Sequence, residues 1–128
     1  GYTRKAINFA GYVNNLENHL ALGSLYLHCS RGDAFPTVVL EAIAAGLVPI
    51  VSEWTGSKQV IERVSKDLVV SLDKEEIANK ILWYINLPKE YKEGLSLKLR
   101  ERGKKFTEEK AMNHYKQTFT ELIEDFNL

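Results

Sequence analysis

Two carboxylates stand eight residues apart in the stretch SRGDAFPTVVLEAIAAG, residues 30–46: Asp33 precedes a proline, and Glu41 sits inside an apolar helical run. Thr37, Val38, Val39 and Leu40 precede Glu41, and Ala42, Ile43, Ala44 and Ala45 follow it. A helix apolar all round is normally buried, and a glutamate is almost never fully buried unless paired or used. Glu41 is then either a core carboxylate neutralised by a lysine or arginine, or a ligand for a bound group. The N-terminus of the helix carries unpaired N–H groups and a partial positive charge, which suits phosphate. Glu41 lies about 7–8 Å along the axis from that end at 1.5 Å per residue, within reach of hydroxyls on an adjoining ribose. Asp33 either caps the helix amides or faces the far side of the phosphate. The second layout is that of a nucleotide diphosphate-sugar lying across the helix N-terminus.

The surrounding elements must place this stretch. Four near-continuous apolar runs read as strands: residues 6–13 (AINFAGYV), 25–30 (LYLHCS), 48–52 (VPIVS) and 68–72 (LVVSL). Such runs, without strict alternation, suit parallel strands covered on both faces. Helices are predicted between them: 15–22, opened by a capping-box spacing of Asn14 and Glu17; 36–45, with Pro36 at its first position and Gly46 as its C-terminal residue; and 57–64. Beyond residue 72 the pattern is helical throughout. Asp73 with Glu76 opens a helix whose apolar stripe is Ile77, Ile81, Leu82 and Ile85, and Pro88 stops it. A looser helix follows over 91–106, and Thr107 caps a last one with stripe Ala111, Tyr115, Phe119, Leu122 and Phe126. Strands alternating with helices indicate βαβ units. The expectation is an α/β fold: a Rossmann-like parallel sheet of about four strands with flanking helices, residues 1–72 forming a β/α part and 73–128 a helical third.

Composition bounds the function. The 128 residues make one domain's worth of chain, and 17 basic against 17 acidic residues leave no global charge to suggest nucleic acid. The one cysteine, Cys29, excludes an intrachain disulfide framework and reads as a structural thiol. No run approaches the ~20 apolar residues that cross a bilayer, so the default address is the cytoplasm. The basic run at 98–105 (KLRERGKK) reads as a solvated helix face, with peripheral contact to an anionic membrane surface as the sharper alternative. His19, His28 and His114 show no metal-ligand spacing, and His28 stands at the end of a ligand-facing strand. No D-x-D, no G-x-x-x-x-G-K and no G-x-G-x-x-G is present. Trp54 borders the turn at Gly56 and is a candidate to line a ligand pocket there, while Trp83 reads as packing.

In an open α/β sheet, ligands collect outside the carboxyl ends of the strands, where the loop RGDAF leaves LYLHCS. The stretch SRGDAFPTVVLEAIAAGLVPIVS resembles the signature region of the retaining, nucleotide-sugar-dependent glycosyltransferases of the GT-B fold, family 4 or group 1. FAGYV before a helix and EWTGSKQVI after the next strand match in position and character. The resemblance implies that Glu41 binds the ribose hydroxyls of the donor and that Asp33, the catalytic candidate, lies beside the transferred sugar. It implies that Ala34, Phe35, Pro36 and Thr37, after Ser30, face the sugar and diphosphate, and that Thr55 and Gly56 border the pocket. It implies hexose transfer to a hydroxyl acceptor, with no metal and no cofactor beyond the nucleotide-sugar donor.

The sequence departs from the family pattern in two places. Asp33 is one methylene shorter than the usual Glu, and Gln59 stands where a Glu is frequent. The family's diphosphate-clamping Arg and Lys precede the strand matched by AINFAGYV, and no basic residue lies between Arg31 and Lys58 to stand in for them. By that comparison the chain corresponds to about the last two-thirds of a donor-binding domain, a fragment or split gene product not expected to catalyse transfer alone. Its expected partners are the donor, an N-terminal acceptor half in cis or trans, and a second copy paired through an exposed sheet edge. A noncatalytic assembly module is the rival reading.

Overall fold

The computed structural model describes residues 6–33, 37–105 and 108–125, without the side chains of 108–115. The elements run α1 (Leu16–Leu20), β1 (Leu25–His28), α2 (Thr37–Ala44), β2 (Val48–Ser52), α3 (Lys58–Glu62), a 3₁₀ turn (Lys66–Leu68), β3 (Val69–Val70), α4 (Lys74–Ile85), α5 (Lys89–Lys104) and α6 (Glu108–Asp125). The three strands form one parallel sheet in the order β1-β2-β3. The α/β class, the parallel sheet and the helical third are as expected, but the sheet has three strands rather than about four. Residues 6–13 form no strand, and Ile7, Phe9 and Tyr12 in that run are well exposed. A strand needs a partner for its backbone groups, and this run pairs with neither edge of the sheet.

The central strand explains itself from sequence. All five residues of VPIVS are buried, as a strand paired on both sides and covered on both faces requires. Proline is unusual in a central strand because it lacks a ladder donor, and Pro49 escapes that cost through register. Val48 donates to the Ser24 carbonyl on the β1 side, whereas Glu53 donates to the Val70 carbonyl on the β3 side. Alternation therefore turns the Pro49 nitrogen toward β3, which pairs only with Val51 and Ser52 and ends short of it.

Around β2 lies one core of Val39, Ile43, Val48, Ile50, Val51, Ile61, Leu68, Val70, Tyr84, Leu95 and Leu99. α2 and α5 pack on each other and on β2, α3 reaches α5 and β3, and α4 packs on β3. The close fit of α2 and α5 shows at Gly103, where an added Cβ would meet Ile43 at 3.3 Å. Gly46 takes φ +96° as the expected helix terminator, and the Leu47 N–H returns to the Ala42 carbonyl at 3.0 Å.

Several predicted details differ. α1 is preceded by Asn15, whose side chain makes no capping bond, so the Asn14–Glu17 box does not form. At α4 Asp73 caps as expected, accepting from the Glu76 N–H at 3.1 Å, but the Glu76 carboxylate turns to Ser71 instead of closing the box. In α4 the core side is Ile77, Ile81, Trp83 and Tyr84; Leu82 and Ile85 are more than half exposed, because the strand it covers is only two residues long. Phe119 and Leu122 of α6 are also about half exposed rather than buried. Ala111, Tyr115, Phe126 and the Thr107 cap lie outside the described side chains. Among the described residues no helix is long and apolar enough to cross a membrane.

Candidate functional site

The loop after β1 is fastened at its backbone to the loop after β2. Asp33 and Thr55 form a parallel bridge, and the Gly56 N–H donates to the Asp33 carbonyl at 2.8 Å. The buried Ser52 hydroxyl, at the end of β2, donates to the Ser30 carbonyl. The Gly32 N–H donates to the Ser30 hydroxyl at 3.1 Å, and the buried hydroxyls of Thr55 and Ser57 bond each other at 3.2 Å. Every small hydroxyl here has a partner, as buried polar groups require. Ser30, Asp33, Thr55 and Gly56 are thereby brought together at the carboxyl ends of β1 and β2, where an open α/β sheet binds its ligands.

Asp33 carries the side-chain chemistry of this cluster. Its Oδ2 lies 2.7 Å from His28 Nε2 at the end of β1. Hydrogen bonds from the Ser30 hydroxyl and from His28 hold its carboxyl below the usual carboxylate range. Behind the imidazole, the Tyr26 hydroxyl is 3.3 Å from His28 Nδ1, and the two rings stack with centroids 6.0 Å apart. Burial pushes the Tyr26 phenol up, and the charges of Glu41 and Asp33 push it further. Both carboxylates therefore act on one phenol, although they come from a loop and a helix.

Glu41 is exposed, which corrects the expectation of a helix apolar all round and buried. Only Val39, Ala42 and Ile43 of α2 are buried, an i, i+3, i+4 stripe in which Val39 and Ile43 join the core around β2 and Ala42 packs with Leu20 of α1 and Leu47. The outward apolar residues are Ala44 and Ala45, whose small side chains cost little in water while favouring helix. Among the described residues Glu41 makes no ion pair, so the alternative of a neutralised core carboxylate falls away. Thr37 opens α2 exposed, while Ala34, Phe35 and Pro36 lie outside the described residues. Trp54 is exposed beside the Thr55 bridge, and Gln59 is exposed on α3. Cys29 is half-buried, and burial pushes its thiol up, away from the reactive thiolate.

The sequence reading gave Tyr26 no part in this cluster. The signal was available: Tyr26 and His28 are i and i+2 on one strand, which places both on the same face. Among the described residues no group of three or more His, Cys, Asp or Glu is disposed to hold a metal. A groove of about 450 Å³ lies at the opposite, amino ends of the strands, lined in part by Ser24, Gly46, Tyr84, Lys92 and Ser96. Tyr84 donates there to the Ser24 carbonyl, Ser96 to that of Gly46 and Lys92 to that of Ile85, while the charged Lys89, Glu93 and Arg100 also line it. It contains neither carboxylate of the signature stretch.

A family model described as glycosyl transferases group 1 matches residues 1–86. That span holds α1–α4, all three strands and the whole cluster around Asp33 and Glu41. No curated protein and no solved structure matches the chain.

Proposed function

The chain belongs to the group 1 glycosyl transferases, and from that premise we propose that the cluster at the carboxyl ends of β1 and β2 is the donor-binding part of a retaining GT-B glycosyltransferase. The donor is a nucleotide diphosphate-sugar, and the reaction moves its hexose to a hydroxyl acceptor. The observation that carries this reading is the backbone bridge that sets Asp33, with His28 at 2.7 Å, against Thr55 and Gly56 at the carboxyl ends of β1 and β2, inside the residues the family model matches. Glu41, exposed and unpaired by any described cation, accepts hydrogen bonds from the ribose hydroxyls. Asp33 addresses the sugar, with Thr37 at the start of α2 and Thr55–Gly56 on the far wall. The diphosphate takes its neutralising charge from basic residues outside 32–57, a stretch that has none.

The test is calorimetric titration of UDP-glucose, GDP-mannose and ADP-glucose against the chain and its Glu41→Ala variant. At least one donor should bind the parent chain about ten- to a hundredfold more tightly, the equivalent of a charge-assisted hydrogen-bond pair. Equal affinities, or no binding by the parent, would remove the donor assignment. The assembly reading draws on a different observation: among the described residues β1 pairs only with β2, and Leu27 on it is partly exposed.

A further inference from the structure

The cluster contains a hydrogen-bonded series that the group's signature stretch does not describe, because two of its members lie upstream on β1. Tyr26 and His28 share one face of that strand with stacked rings, and Asp33 closes on the imidazole from the following loop at 2.7 Å. The roles follow from valence. An ionised aspartate only accepts, so His28 Nε2 carries the hydrogen, and in the neutral imidazole the lone pair then left on Nδ1 accepts from the Tyr26 hydroxyl. The same logic orients metal-free His–Asp pairs generally: the outer partner fixes tautomer and ring angle.

The backbone of Asp33 is already fixed by the Thr55 bridge and the Gly56 N–H. What remains free is the rotation of a short side chain, and the imidazole removes that freedom. A carboxylate has about four lone-pair sites, so bonds from His28 and the Ser30 hydroxyl leave acceptor capacity for a ligand. Taking the donor-site reading as its basis, we propose that His28 is a positioning residue: its Nε2–H aims the Asp33 carboxylate at the hydroxyls of the donor sugar, and Tyr26 holds the imidazole in the required tautomer. The groups that bear on this series are Tyr26 and His28 on β1, Asp33 in the loop and Glu41 on α2. β2 contributes Val51 opposite His28, and the next loop contributes Thr55, both uncharged.

The experiment follows the Asp33 carboxyl by carbon-13 NMR through an acid titration in the parent chain, His28→Phe and His28→Gln, with dispersed amide spectra confirming folding. Dissociation constants for UDP-glucose, GDP-mannose and ADP-glucose are measured across the same pH range. His28→Phe should raise the Asp33 midpoint, weaken the bound donor about tenfold and carry the acid limb of binding upward with the midpoint. His28→Gln, which keeps an N–H donor, should restore most of both. An unmoved Asp33 midpoint in His28→Phe overturns the proposal, as does a glutamine variant that behaves like phenylalanine. Failure of all three donors to bind the parent sinks the donor reading and this role with it, and the Asp33 titration then still reports whether the hydrogen bond exists.

Discussion

At the scale of single residues, the proposed donor chemistry rests on one short carboxylate held by its neighbours and one exposed carboxylate left open. Asp33 has its folded-state pKa depressed by the Ser30 and His28 bonds, so it stays ionised through and below the ordinary carboxylate range and loses that form only as pH falls through the depressed value. Donor affinity should therefore hold through mildly acidic pH and fall at strongly acidic pH. Asp33→Asn should bind more weakly and lose that acid limb; an Asn variant with the parent's pH profile would place the limb elsewhere. Asp33 and Glu41 were legible from residue type and spacing. The exposure of Glu41 was not, because alanine is compatible with both a buried and an open helix face, and the run of alanines concealed which side faced water. That Tyr26 and His28 share a strand face was readable from their i, i+2 spacing, whereas the closure of Asp33 on His28 was not, since sequence does not orient the loop that carries it.

At the scale of elements, the site depends on α2 starting and stopping where it does. Its end is set by Gly46 at φ +96°, a conformation that strains any residue with a Cβ. The space around it is open, with only the Ser96 hydroxyl oxygen at 3.9 Å from an added Cβ, so backbone strain alone should govern a substitution. Gly46→Ala should cost about 1 kcal/mol, read as a lower urea midpoint with an unchanged slope; no loss would show that the helix end relaxes. Gly46 was readable because glycine after an apolar helical run has one conformational use. The 6–13 run was misread as a strand because apolar composition reports a tendency to extend, whereas pairing requires a neighbouring edge. The half-exposed Leu82, Ile85, Phe119 and Leu122 have the same lesson: a helical stripe marks a face fit for burial, and only the length of the element opposite decides whether burial occurs.

At the scale of the whole molecule, the three strands among the described residues give a sheet with a fully buried centre and a β1 edge that no described residue pairs. Unpaired edge groups template pairing with another chain, so light scattering should show concentration-dependent association that Leu27→Lys weakens; a monomer at all concentrations would exclude edge pairing. The α/β class and the parallel sheet were readable from the order of apolar runs, because a parallel sheet requires helical crossovers. The central claim is one of place: the donor sits at the carboxyl ends of the strands and not in the groove of about 450 Å³ at their amino ends. The most direct measurement is amide chemical-shift mapping while whichever of UDP-glucose, GDP-mannose or ADP-glucose binds is titrated in. The largest shifts are expected at His28, Asp33, Thr37, Glu41, Thr55 and Gly56, with Ser24, Lys92 and Ser96 undisturbed. Shifts centred on Ser24, Lys92 and Ser96 instead would contradict it.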